Sequence, residues 1–252
     1  MTPFQLRFFV SLISLLLIPI APLLAQSRQG NEISFRVLCY EHRDGITEVF
    51  APGKGDSKID VPLYSNEFSD SIQARFAAGK ASFFIEEKKA DGSLEMKLVA
   101  EGKLARGNRQ AFMFVPADDR NDLVYHVVAF EDDEKSFPMG GTRVINLAPF
   151  PIRLNLAGAD MPAINPGGNE IYPMIRKVDE WNMYSARIDF EVSSNQWLAV
   201  AKQSWKASDR KRDWVIARYD GKRKQPMIRL YRDFPPWREK ELEVIGGETD
   251  GP

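Results

Sequence analysis

Between Lys202 and Arg232 the chain carries cations interleaved with aromatic rings, and residue types of this kind could hold a partner. Arg210, Lys211 and Arg212 form one cluster and Lys222, Arg223 and Lys224 a second, each between two runs of β-forming residues. Trp197, Trp205, Trp214, Tyr219 and Tyr231 lie among them. Basic groups fix an anion while exposed rings stack on sugars or bases, so these six cations are the candidate anion-binding set. The competing reading places the cations on solvated hairpin faces and the tryptophans in a core. Convergence of the two clusters at one end of a sheet requires twist, curvature or a long turn, because successive turns of a meander fall at opposite ends.

No catalytic or metal pattern rises above background. His42 and His126 are the only histidines; His42 sits in the turn-like stretch Glu41-His42-Arg43-Asp44-Gly45, and His126 sits in an apolar strand pattern. Neither is accompanied by a Gly-x-Ser-x-Gly elbow, which a serine hydrolase of that type needs. Two scattered histidines and one cysteine do not make a closed zinc site. The stretch Asp118-Asp119-Arg120-Asn121-Asp122 offers oxygen ligands, but Arg120 puts a positive charge among them and the twelve-residue calcium loop pattern is absent. No cofactor is called for. Paired carboxylates could serve an envelope-polymer hydrolase, the alternative enzyme reading, although no pair stands out.

The elements that must position these residues read as all-β. Short runs of β-formers bounded by Gly, Pro, Asn and Asp predict strands at 33–40, 46–50, 58–63, 71–76, 81–87, 94–105, 110–115 and 123–130, then at 142–147, 151–157, 169–174, 183–192, 196–204, 212–219 and 226–232. In 183–192, Tyr184, Ala186, Ile188, Phe190 and Val192 share one face and Ser185, Arg187, Asp189 and Glu191 the other. Such alternation predicts antiparallel sheets packed face to face as sandwiches. Asp91-Gly92 and Asp220-Gly221 read as tight turns. Cys39 alternates with Ile33, Phe35 and Val37 and reads as a buried apolar residue; as the only cysteine it leaves no intrachain disulfide.

The chain divides near its middle. Residues 30–140 hold 14 Lys and Arg against 20 Asp and Glu, whereas residues 141–234 hold 16 against 10. An acidic first half beside a basic second half predicts contact between them, although the formal net charge of -1 argues against global attraction to nucleic acid or membrane. Val99 to Asp132 aligns on Val200 to Asp233 without a gap, matching Ala100 with Ala201, Arg109 with Arg210, Phe130 with Tyr231 and Asp132 with Asp233. Arg36-Val37 likewise matches Arg143-Val144, as in a duplication. The expected organisation is two tandem antiparallel β-sandwich domains, 30–132 and 142–234, a linker at 133–141 and a disordered acidic tail at 235–252.

Arg7, the apolar stretch from Phe8 to Leu24 and small Ala25 read as a cleaved secretory signal peptide over residues 1–25. An uncleaved anchor is the alternative, since the apolar stretch is near the lower length limit for a spanning helix. Export places the mature protein in the periplasm or outside the cell, where an anionic envelope glycan or lipid headgroup is the expected partner and nucleic acid is not.

At Gly141-Thr142-Arg143-Val144-Ile145-Asn146-Leu147-Ala148-Pro149 the chain resembles the opening strand of short β-sandwich repeats in bacterial secreted proteins. With Val178-Asp179-Glu180-Trp181-Asn182-Met183-Tyr184 and Tyr231-Arg232-Asp233-Phe234-Pro235-Pro236-Trp237, the mature chain resembles uncharacterised exported β-rich proteins of Gram-negative-type bacteria. That resemblance implies the fold and the compartment and carries no catalytic residue. The expectation is therefore an exported, noncatalytic binding or structural module of the cell envelope.

Overall fold

The computed structural model describes residues 30–117, 122–221 and 223–238. The predicted signal peptide, Asp118 to Asn121, Lys222 and the end of the chain lie outside the described residues. The fold is all-β. Its first half holds β1 (Asn31–Cys39), β2 (Glu48–Pro52), β3 (Lys58–Pro62), β4 (Ile72–Phe76), β5 (Lys80–Lys88), β6 (Leu94–Lys103), β7 (Arg109–Pro116) and β8 (Tyr125–Glu131). The second holds β9 (Thr142–Asn146), β10 (Ile152–Leu156), β11 (Ala159–Asp160), β12 (Asn169–Tyr172), β13 (Met183–Ser193), β14 (Gln196–Lys206), β15 (Arg212–Asp220) and β16 (Gln225–Asp233). Every predicted run became a strand, and only two-residue β11 had no sequence signal.

The first half is one curled sheet in the order β3-β2-β5-β6-β8-β7-β1-β4, with β4 returning against β2, β3 and β5. The second half forms two sheets, β11-β10-β13-β14 and β12-β9-β15-β16. The expectation of purely antiparallel pairing is corrected: β1 with β7, β6 with β8 and β9 with β15 run parallel. Parallel neighbours require a long crossover, which the many residues between these partners supply.

One pairing scheme occurs twice. Reading β4-β1-β7-β8 and β6-β5-β2-β3 across to β12-β9-β15-β16 and β14-β13-β10-β11 matches each strand with the one eight positions later. Even a bulge recurs: pairing passes from Phe83↔Ala100 to Phe84↔Leu98 over Val99, and from Ile188↔Ala201 to Asp189↔Ala199 over Val200. The gap-free alignment needs one correction. Arg36↔Ala111 and Arg143↔Trp214 are equivalent pairs, so Arg109 corresponds to Arg212 rather than Arg210, the second half carrying two extra residues before β15.

The repeat differs in one connection. β8 lies beside β6 through Ala100↔Tyr125 and Glu101↔His126, whereas β14 and β16 are ends of separate sheets. Pro226 stands where Tyr125 stands, and a proline has no N–H to donate across a sheet edge.

Each half has its own apolar core, and a third cluster joins them. Phe35, Phe76, Phe83 and Phe112 centre the first, with ring centroids 4.8 to 6.0 Å apart. Leu154, Ile188, Phe190 and Val215 centre the second, between its two sheets. The joining cluster sets Leu38, Met113 and Phe130 against Ile145, Trp214 and Tyr231. The 133–141 linker does not run free: Phe137 is fully buried in this cluster, its ring 5.3 Å from that of Trp214 and nearly perpendicular to it. Burying a phenyl ring outweighs leaving an exposed connection mobile, because each buried apolar ring contributes about 2 kcal/mol.

Candidate functional site

The two basic turns do not meet. Arg210 to Arg212 lie at the start of β15 and Arg223 and Lys224 beyond its end, separated by a nine-residue strand. That length spans about 30 Å. Arg212 is wholly buried, and Lys211 is buried in an ion pair with Asp213, which corrects their assignment to an exposed site. Arg223 is exposed, and its backbone N–H donates to Asp220 Oδ1 at 3.0 Å. Of the six candidates, Arg210 and Lys211 line a surface cleft at one end of the second half, and Lys224 lines an apolar groove at the other.

Arg212 belongs to a buried ionic cluster that the alignment foreshadowed in Asp132 and Asp233. Its Nη2 donates to Asp132 Oδ1 at 2.5 Å and to Asp233 Oδ2 at 2.6 Å. Arg36, from the other half, donates Nε to Asp132 Oδ2 at 2.9 Å and Nη1 to Asp233 Oδ1 at 2.7 Å. Trp214 Nε1 adds a donor to Asp233 at 3.2 Å. Burial alone would raise the Asp233 carboxyl, but the hydrogen bond from Arg36 and the two guanidinium charges hold it below its ordinary value. Burial would likewise lower Arg36, and Asp233 and Asp132 more than reverse it. Two arginines matched by two aspartates leave no net charge. These carboxylates, held by fixed guanidinium donors, are structural and offer no free acid or base to a substrate.

Arg143, the counterpart of Arg36, takes a different role. Its guanidinium lies 4.8 Å from the Phe130 ring centre, 5.0 Å from Phe137 and 5.2 Å from Trp214. Burial and the neighbouring Arg212 charge push it down to about 10.

The unpaired edges of β14 and β16 border a seam in the second half. At one end, Trp205 and Lys206 of β14 face Leu230, Arg232 and exposed Phe234 across a cleft of about 460 Å³ that Arg210 also lines. Among the described residues no carboxylate forms an ion pair with Lys206, Arg210 or Arg232. Asp213 also lines this cleft; burial raises its carboxyl despite Lys211, and its Oδ1 has no donor among the described residues. At the other end, Phe190, Val192, Leu198 and Tyr219 line the groove with Lys224 and Pro226. Val192, expected in the core, is 57% exposed there, and Leu198 is 54% exposed. Of Lys206, Arg210 and Arg232 only Arg210 belongs to the candidate set, the other two lying elsewhere in the same basic stretch; the open seam was not legible, since no local pattern reports which strands fail to pair.

The remaining candidates resolve as structure. His42 Nε2 lies 2.6 Å from the Leu63 carbonyl oxygen, and His126 is exposed on β8. Cys39 is buried with Phe35 and Val37, and burial pushes its thiol up to about 11. Among the described residues no three His, Cys, Asp or Glu side chains gather as metal ligands. Trp205 and Trp214 are core, whereas Trp181 is exposed and Trp197 lies under the Arg153 guanidinium at 4.5 Å. The predicted wet face of β13 holds buried Asp189, covered by Arg153 and Arg187 at 3.1 and 2.8 Å. The chain past Pro235, expected to leave the fold, stays packed through Arg238: Trp237 lies beside the guanidinium groups of Arg109 and Arg212, at 5.1 and 5.3 Å, and Arg238 pairs with Glu134. No helix among the described residues is long and apolar enough to cross a membrane. A scan of family models and a search of curated proteins both return no match for this chain.

Proposed function

We propose that this protein is an exported, noncatalytic binding module of the bacterial cell envelope, built from two copies of one β-rich unit, of which the second holds an anionic partner. One observation carries the reading: among the described residues, Lys206, Arg210 and Arg232 have no ion-pair partner around a cleft that also exposes Phe234. Cations outside any such ion pair beside apolar surface suit an anionic ligand with an apolar part. The first unit serves as a rigid base, clamped to the second by buried ion pairs and the Phe137 contact. Export to the periplasm or beyond follows from the leader-like first residues.

Retention on purified envelope fractions tests the proposal. Lys206, Arg210 and Arg232 are exposed, so replacing all three with Ser leaves folding intact, at roughly 0.5 kcal/mol or less for each. Retention by the native protein should fall as salt rises and should be lost in the triple variant. Equal retention of both proteins would sink the reading.

A further inference from the structure

The geometry points to an acidic peptide in extended conformation as the ligand, added as a strand along the free edge of β14; this inference rests on the anion-binding reading above. The fold itself supplies the precedent. In the first unit the corresponding edge, that of β6, is already taken: β8 lies along it in parallel, and the Val124 N–H donates to the Val99 carbonyl at 2.9 Å. In the second unit the same edge, with the same bulge at the equivalent valine, has no strand beside it among the described residues. β14 is eleven residues long and mostly exposed. An exposed strand edge offers a row of main-chain donors and acceptors that an incoming strand satisfies.

Charge selects among occupants. Lys202 and Lys206 both project from β14 and are exposed, so pairing with a second copy of the same edge would set these ammonium groups against one another. A strand carrying Glu or Asp meets them, Arg210 and Arg232 with opposite charge. The free main-chain row of β14 then favours a peptide over a phosphate-bearing headgroup, which has no extended backbone to pair with it. The apolar groove at Leu198 and Val192 receives the alternate side chains of the same strand.

The test titrates the full chain with a fluorescent peptide of about eight residues alternating Glu with Val, a length matched to an ordinary strand. Two isomers carry N-methyl groups on alternate residues, one isomer on each edge of the peptide. Micelles of dodecyl phosphate form the comparison arm. Expected are saturable binding by the parent peptide that weakens with salt, at least a tenfold loss in one N-methyl isomer, and a similar loss in the variant K206E/R210E/R232E. A Lys-for-Glu peptide should not bind. Equal binding by the parent and both N-methyl isomers would overturn strand addition. Binding of the micelles without binding of the peptide would overturn the peptide ligand while leaving the anion-binding reading in place. Binding of neither would remove both.

Discussion

Asp132 directly follows β8 and Asp233 ends the corresponding β16, yet they accept hydrogen bonds from the same two guanidinium groups, those of Arg36 and Arg212. Each arginine bonds the aspartate of its own half and that of the other. The ion pairs therefore cross-link the repeat at its centre, next to Trp214 and Phe137. Removing any single member leaves an uncompensated charge in a site with almost no solvent.

The variants Arg212→Met and Asp233→Asn should each lower stability by about 3 to 5 kcal/mol, the usual cost of breaking a buried pair from one side. Urea unfolding measures this directly. Losses below about 1 kcal/mol would mean that water reaches the cluster. The double variant Asp132→Asn with Asp233→Asn should differ from the sum of the two single changes, since both aspartates share donors.

Acid sensitivity follows from the lowered Asp233 carboxyl. A carboxylate whose folded value lies below its unfolded value of about 3.9 stabilises the fold fully above that unfolded value. The contribution is lost as pH falls through the lowered folded value. Stability measured against pH below about 4 should therefore decline steeply in the native protein and less steeply in Asp233→Asn.

Phe137 makes the join between the halves a matter of packing as well as charge. Phe137→Ala should cost about 3 to 5 kcal/mol through the cavity it leaves. The native protein should unfold in one calorimetric transition, and the variant in two, as the halves lose their shared cluster. A variant that still unfolds in one transition, at an unchanged temperature, would contradict this.

Cys39 should be silent in the folded state. Buried and pushed up to about 11, its thiol is protonated at neutral pH and shielded from reagent. Labelling with a thiol-specific disulfide reagent at pH 8 should be slow in buffer and rapid in concentrated urea. Rapid labelling in buffer would show that the first core opens readily around the end of β1.

Strand positions were legible locally because apolar alternation and turn residues act over a few neighbours: all fifteen predicted runs appear, and the bulge valines Val99 and Val200 align from sequence alone. The repeat was legible for the same reason. The fate of individual charges was not. Lys211 and Arg212 read like their neighbour Arg210, but the pitch of β15 turns Arg212 into the joint between halves and leaves Arg210 at the rim of a cleft. Phe137 looked like part of a polar link and became a plug. The seam beside β14 depends on Pro226 facing an edge that Tyr125 closes in the other half, a long-range pairing absent from any local pattern. Periodicity within a strand determines which side of it faces inward, whereas burial of a charge and the vacancy of an edge are set only when distant strands meet.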